Sequence, residues 1–253
     1  MNLEFVPLLQ IQRDLYRMPR GWERFRAYLE TLVDPETKDL KLPLSAMNPM
    51  GKDHVPALLD QYLAFDADGL AARAVAEAES RLSNVEGEFK VTLVIVDDAM
   101  GGWTNRYSNE LTARSGSKPL HKRGWITGTL WTSETPSEQA IREETLTAVY
   151  RAAHIQQHGF AATMREIMAQ EGYVMAMAGC SKPSLDEVEL EYTRAVIAPN
   201  LDTKDYPIVI TSLFGDVAAA ALGYSPLGLS ERAGFALALS DALERRKATR
   251  DVP

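Results

Sequence analysis

The chain has 253 residues, of which 45% are hydrophobic and 25% are charged, and its formal net charge at pH 7 is −8. A globular protein of this length and composition can bury a sizeable core. Because Lys and Arg are spread along an acidic chain, and not concentrated in a basic patch, nucleic acid is not expected as a partner.

Cysteine content and hydropathy indicate the compartment. The single cysteine, Cys180, cannot form an internal disulfide, which suits a reducing cytoplasm. Residues 1–20 lack the charged-then-apolar pattern of a signal peptide, and no apolar run approaches the roughly 20 residues needed to span a bilayer. We therefore expect a cytoplasmic protein with no membrane partner.

The region 1–85 is expected to be helical. Apolar residues at helical spacing predict two short helices in its first half, separated by Pro19-Arg20-Gly21. A longer, alanine-rich helical stretch then runs from about Val55 to Leu82 and can break near 66–69.

Two strand-like segments follow in the region 86–180. Residues 89–98 form the short β-branched run of a buried strand, and residues 124–133 alternate like a strand near a sheet edge. The polar segment between them is predicted to be a loop. Asp97 and Asp98 end the first strand, where catalytic carboxylates and turn-forming aspartates both occur.

A helix-start signature follows the second strand. Thr135 can cap the helix, Pro136 fits its first position, and Glu138 completes a capping box. This helix is predicted to run to about His158 and to end at Gly159. Further helical segments are predicted at 161–170 and 173–178, from about Ser184, and in the region 181–253. The whole chain, 1–253, is predicted to be a single, mainly helical α+β domain with a small sheet.

The helix that ends at His158 carries candidate metal ligands. His154 and His158 lie four residues apart, so a helix points both imidazoles in one direction. Glu143, Thr147 and Tyr150 extend the same face, which is too polar for a core and lacks the charge pattern of a solvent face. The alternative is a solvated helix end for His158 and a satisfied, half-buried imidazole for His154.

A strand, a helix with histidines, and a second helix carrying Glu171-Gly172 before a small apolar segment resemble the layout of zincin-like metalloproteins of the Glu-ligand type. That family uses H-E-x-x-H for two ligands and a general base, with a downstream Glu as third ligand. The resemblance implies a zincin-like active-site helix. It also implies one divalent metal, with zinc as first choice, held by His154, His158 and Glu171.

The chain departs from the family at the first motif. One alignment uses YRAAH, which replaces the first histidine by Tyr150 and the base by Arg151. The other uses HIQQH, which keeps both histidines but places Ile155 where the base belongs. The glutamate that activates water is missing in both, so peptidase activity is not expected. Tyr150, one turn from His154, becomes the candidate acid/base or hydrogen-bond donor, with Arg151 beside it.

Other polar residues are candidates for substrate binding. Arg106, Arg114 and Arg123 lie in and after the segment between the strands and could form a pocket for a carboxylate or phosphate. A solvated basic loop is the alternative. His54 and His121 are isolated in the sequence, although folding could bring either to a site.

Three functions are compatible with these patterns. The first is a metal-dependent enzyme, a hydrolase or lyase, that acts on a small anionic molecule and is not a conventional peptidase. The second is a metal-free zincin-like binding or scaffold protein. The third is a metal-independent lyase or isomerase that uses the arginines.

Overall fold

The computed structural model describes residues 1–100, 104–115, 118–180 and 183–250. The described chain is 58% helical and has a small parallel sheet, so the predicted mainly helical α+β class is confirmed. The chain divides into two compact units. Unit 1 is Met1–Arg106 with Ser117–Ala153, and unit 2 is Tyr107–Gly116 with His154–Pro253. One domain spanning 1–253 stays a prediction.

In the described residues of unit 1, three parallel strands form a sheet in the order β1-β2-β3. They are β1 (Asn2–Phe5), β2 (Glu88–Val96) and β3 (Trp125–Trp131). Four helices connect β1 to β2, namely α1 (Leu9–Leu15), α2 (Trp22–Leu32), α3 (His54–Ala64) and α4 (Ala67–Arg81). Between β2 and β3 the chain forms α5 (Arg106–Arg114) and α6 (Lys118–Lys122), and α7 (Glu138–His158) follows β3. Residues 107–114 of α5 and 154–158 of α7 belong to unit 2.

The central strand, β2, determines where polar groups leave the sheet. Its residues from Val91 to Val96 are all buried, as expected for a parallel strand covered on both faces. Val96 pairs with Trp131 in the register of β2 and β3. Asp97 and Thr132, the next residues of the two strands, therefore emerge side by side at the carboxyl edge of the sheet.

Most predicted elements of unit 1 are confirmed, including the break of the long helical stretch, which lies at Asp66 with a left-handed φ of 54°. Three details differ. The region 1–85, predicted to be helical, begins with the strand β1. The predicted loop between the strands is wrong where α5 and α6 form. The predicted cap of α7 is also wrong, because the helix begins at Glu138 and the Ser137 hydroxyl accepts the Ala140 N–H at 3.1 Å. Ser137 therefore takes the capping role assigned to Thr135.

Unit 2 is helical in its described part. Besides its parts of α5 and α7, it contains α8 (Met164–Ala178), α9 (Glu187–Ile197), α10 (Tyr206–Phe214), α11 (Asp216–Leu222) and α12 (Ala233–Arg250). The two segments predicted at 161–178 are one helix, and the start predicted near Ser184 lies at Glu187, capped by Asp186. None of the described helices combines the length and apolar character needed to cross a membrane.

Because glycine adopts backbone conformations that other residues avoid, the sequence predicts a sharp turn at Gly172 that lets a following helix pack closely. Gly172 instead lies inside α8, so this turn does not exist. A Cβ at this position would lie 2.3 Å from the Ala238 carbonyl oxygen. Glycine therefore permits the close approach of α8 and α12. The close packing agrees with the sequence prediction, but Gly172 lies in the middle of a helix and not at a turn.

Candidate active site

The carboxyl edge of the sheet in unit 1 gathers polar side chains around Asp97. We call this group the sheet-edge cluster; it consists of Asn48, His54, Asp97, Asp98, Arg106, Thr132 and Ser133. The Asp97 carboxyl group is almost fully buried, at 2% exposure. Its Oδ1 lies 2.7 Å from His54 Nε2, and its Oδ2 accepts a hydrogen bond from Asn48 Nδ2 at 2.7 Å.

His54 is the first residue of α3, and its side chain is 13% exposed. Asp97 holds Nε2, while Nδ1 is buried and has no hydrogen-bond partner in the described part of the chain. A buried polar atom without a partner is costly and calls for an explanation such as a catalytic role. A carboxylate that orients one imidazole nitrogen leaves the other nitrogen available to exchange a proton, and in His54 that other nitrogen is Nδ1.

Asn48 is itself held in one orientation. Its Oδ1 accepts the Met50 N–H at 3.0 Å, which directs its Nδ2 toward Asp97. The Asn48 carbonyl accepts a hydrogen bond from the Tyr16 hydroxyl, and burial, with a smaller contribution from Asp97, raises the pKa of Tyr16 above its usual value. These contacts hold the Asn48 side chain toward Asp97.

One hydroxyl links the two carboxylates at the end of β2. Thr132 Oγ1 lies 3.1 Å from Asp97 Oδ1 and 3.1 Å from Asp98 Oδ1, and its single proton can serve one of them at a time. Asp98 also accepts hydrogen bonds from the Ser133 N–H at 2.9 Å and the Ser133 hydroxyl at 2.7 Å. The residues after β3 therefore fix both carboxylates.

Arg106 supplies the positive charge of the sheet-edge cluster. Its Nη1 donates to Ser133 Oγ at 3.0 Å and lies 3.4 Å from Asp98 Oδ2, while its Nη2 pairs with Glu134. The guanidinium stacks 4.7 Å from the centre of the Trp131 ring. Arg106, one of the three arginines predicted to bind substrate, is a member of this cluster.

The other two predicted arginines have different carboxylate partners. Arg123 Nε donates to Asp39 Oδ1 at 2.8 Å in unit 1. Arg114 belongs to unit 2, where its Nε donates to Glu110 Oε1 at 2.7 Å. The three arginines thus pair with different carboxylates, and a shared anion pocket stays a prediction.

The predicted metal ligands lie in unit 2. The rings of His154 and His158 have centroids 4.5 Å apart, and Tyr173 packs on His154 at 5.5 Å. His154 Nδ1 is buried without a hydrogen-bond partner among the described residues. Burial, and next the charge of His158, lowers the pKa of His154, whereas Glu171 opposes this shift.

Glu171, the predicted third ligand, is fully buried and paired with a cation. Its Oε2 accepts a hydrogen bond from Arg114 Nη1 at 2.7 Å, and its Oε1 accepts one from Gln170 Nε2 at 3.1 Å. In the described ranges, no group of three or more His, Cys, Asp or Glu side chains could hold a metal ion. The three residues as arranged do not fit a three-ligand site, and metal binding stays a prediction.

The predicted catalytic pair on α7 is buried in unit 1. Tyr150 is fully buried, and its hydroxyl accepts a hydrogen bond from Arg81 Nη1 at 3.5 Å. Arg151 is 7% exposed. Their roles in catalysis stay predictions.

Comparison with family models, with curated proteins and with solved structures found no match to this chain. The candidate site therefore depends on its own geometry. Sequence reasoning noted Asp97, Asp98 and His54 separately but missed Asn48, Thr132 and Ser133. The available signal was position, since Thr132 and Ser133 follow a strand as the two aspartates do.

Proposed function

We propose that the protein is an enzyme that transfers protons on a small anionic molecule, as a lyase or isomerase that needs no metal for this step. The observation that carries the proposal is the 2.7 Å pairing of His54 Nε2 with Asp97, which leaves a buried His54 Nδ1 without a partner. An imidazole is the commonest general acid and base, because its ordinary pKa lies near neutrality.

Asp97 would assist His54 in two ways. It holds the ring with a proton on Nε2, so that Nδ1 presents its lone pair to a substrate proton. Once Nδ1 has taken that proton, the nearby carboxylate stabilises the imidazolium, and Asn48 keeps the carboxylate in place. The imidazolium can then return the proton to a different atom or to a leaving group.

The anionic character of the substrate is proposed from Arg106. This guanidinium pairs with Glu134, whose side chain is 43% exposed and can yield its place to a carboxylate or phosphate of the substrate. Asp98 and Ser133 would keep Arg106 oriented during this exchange.

Solvent-deuterium exchange tests the proposal without knowledge of the product. The protein is incubated in D₂O with small hydroxy- and keto-carboxylates, and loss of C–H signals is followed by NMR. We expect exchange for at least one compound, abolished in His54→Gln and retained in His121→Gln, a control that removes an imidazole packed on Phe89. Exchange that persists in His54→Gln would exclude His54 as the base.

A second candidate is the metal-dependent enzyme implied by the zincin resemblance. It is favoured by the 4.5 Å spacing of the His154 and His158 rings and by the unpartnered, buried Nδ1 of His154. Elemental analysis before and after chelation should then find a divalent metal that His154→Ala fails to retain. If neither assay responds, the metal-free binding or scaffold protein is the remaining alternative.

A further inference from the structure

A cavity of about 480 Å³ lies between α8 and α12 in unit 2. Its lining includes Tyr173, Ala176 and Met177 of α8 and Ala242, Arg245 and Arg246 of α12. Sites for small molecules typically measure about 300–1,000 Å³ and combine apolar walls with a few polar groups. The size and lining of this cavity match that description.

The sequence explains why the space exists. Gly172 lets the two helices approach closely at Ala238. On the cavity side of this contact the floor is made by Ala176 and Ala242, which are 3% and 6% exposed. Alanine methyl groups do not fill the groove, whereas the larger Tyr173 and Met177 line it as walls.

Two arginines line the cavity, although the chain as a whole carries a net charge of −8. The Arg246 guanidinium is held there by a hydrogen bond from its Nη1 to the Ala176 carbonyl. A guanidinium has five N–H donors, so this bond orients the group and leaves others to reach an anion. Arg245, the preceding residue, adds a second positive charge at the same cavity.

From this combination we infer that the cavity binds a free medium-chain fatty acid. The alkyl chain lies on the alanines and Met177, and the carboxylate pairs with Arg246. The alkyl chain supplies the favourable burial of apolar area, and the planar guanidinium suits a carboxylate in bidentate geometry. The inference does not rest on the proposed proton transfer.

Calorimetric titration of the full chain with three probes of one alkyl length tests the inference. The probes are decanoate, decanol and decyltrimethylammonium, each below its micelle concentration. We expect decanoate to bind with one site per chain, decanol to bind at least about tenfold more weakly, and the cation not to bind. Equal affinity for decanoate and decanol, or no binding of decanoate, would overturn the inference.

Matched variants locate the site. Arg246→Gln should weaken decanoate binding at least about tenfold, whereas Lys247→Gln, the same charge change on the next residue, should not.

Ala242→Trp should abolish binding by filling the cavity, with the exposed Ala220→Trp as control. Because Ala242 is buried, Ala169→Phe at the exposed edge of the groove provides a second filling variant that folding defects do not confound. Unchanged binding in Arg246→Gln or in Ala169→Phe would refute the proposed position.

Discussion

His54 Nε2 and Asp97 Oδ1 lie 2.7 Å apart although 43 residues separate them in the chain. His54 begins a helix that connects β1 to β2, and Asp97 follows the last residue of β2. The helical connection between the parallel strands β1 and β2 therefore places His54 next to Asp97 at the carboxyl edge of the sheet. This edge is the usual position of ligand sites in open parallel sheets.

Asp97→Asn should reduce proton transfer without unfolding the protein. An amide can still accept a hydrogen bond from Asn48, but it no longer stabilises the imidazolium of His54. We expect the deuterium-exchange rate to fall by about 10²–10⁴-fold, the range of general acid–base catalysis. Asp39→Asn, which changes an exposed carboxylate paired with Arg123, is the control. A rate that stays at the wild-type level in Asp97→Asn would argue against the pair as catalytic machinery.

The strand and the helix that carry this site could be predicted from the sequence, but the contact between His54 and Asp97 could not. The β-branched run before Asp97 predicts a buried strand, and the apolar spacing after His54 predicts a helix. Which histidine meets which carboxylate depends on strand register and on the path of four connecting helices. These are properties of tertiary packing that local periodicity does not encode.

The errors in helix assignment have separate physical causes. α5 has a polar sequence typical of a loop, yet Glu110 within it is 4% exposed and pairs with both Arg114 and Arg232. These ion pairs allow a charged residue of α5 to be buried, so a polar sequence forms a packed helix where a loop was predicted. At Gly172 the sequence predicts a turn, because glycine has more conformational freedom than other residues. In the structure, glycine is needed because it has no side chain where α8 and α12 are in contact. A single sequence does not distinguish a glycine that permits a turn from one that permits close packing.

Glu171→Gln should be strongly destabilising, whether or not a metal is bound. Glu171 is fully buried and pairs with Arg114, whereas the surface arginine Arg165 pairs with Asp202. Removing one partner of a buried ion pair typically costs about 3–5 kcal/mol. Urea unfolding should show this loss in Glu171→Gln.

Glu166→Gln is the matched control on the same helix. Glu166 is a fully exposed carboxylate in the capping box of α8, and its backbone hydrogen bonds from Ala162 and Thr163 lower its pKa. We expect a much smaller change in the unfolding midpoint than for Glu171→Gln. Similar midpoints for the two variants would contradict the buried pairing with Arg114.

Asp68→Asn should stabilise the protein at neutral pH. Burial, and next the charge of Asp66, raises the pKa of Asp68 from 3.8 to about 6. A carboxyl group with a raised folded-state pKa contributes stability below pH 3.8, and this contribution is lost as the pH rises through about 6. Wild type therefore carries a penalty at pH 7, which we place at about 1–2 kcal/mol after allowing for partial solvent screening.

The pH dependence of stability distinguishes the effect of Asp68 ionisation from a gain in stability that is the same at every pH. Unfolding free energies of wild type and Asp68→Asn should converge near pH 4 and diverge toward pH 7. Asp53→Asn, at the exposed start of α3, is the control for the substitution itself. A constant difference between wild type and Asp68→Asn would mean that the carboxyl ionisation is not its cause.

Gly172→Ala should destabilise unit 2 even though alanine is the better helix former. Inside a helix the exchange favours alanine by about 1 kcal/mol. The new Cβ would, however, lie 2.3 Å from the Ala238 carbonyl oxygen and 2.9 Å from its carbon, so α12 must shift. Overpacking of this kind costs about 1–3 kcal/mol and more when backbone atoms clash, so we expect a net loss in urea unfolding. Gly21→Ala is the control, because a Cβ there meets nothing within 4 Å and the backbone is extended with φ 163°. If Gly172→Ala proved as stable as Gly21→Ala, α8 and α12 could not be as close at Ala238 as the structure has them.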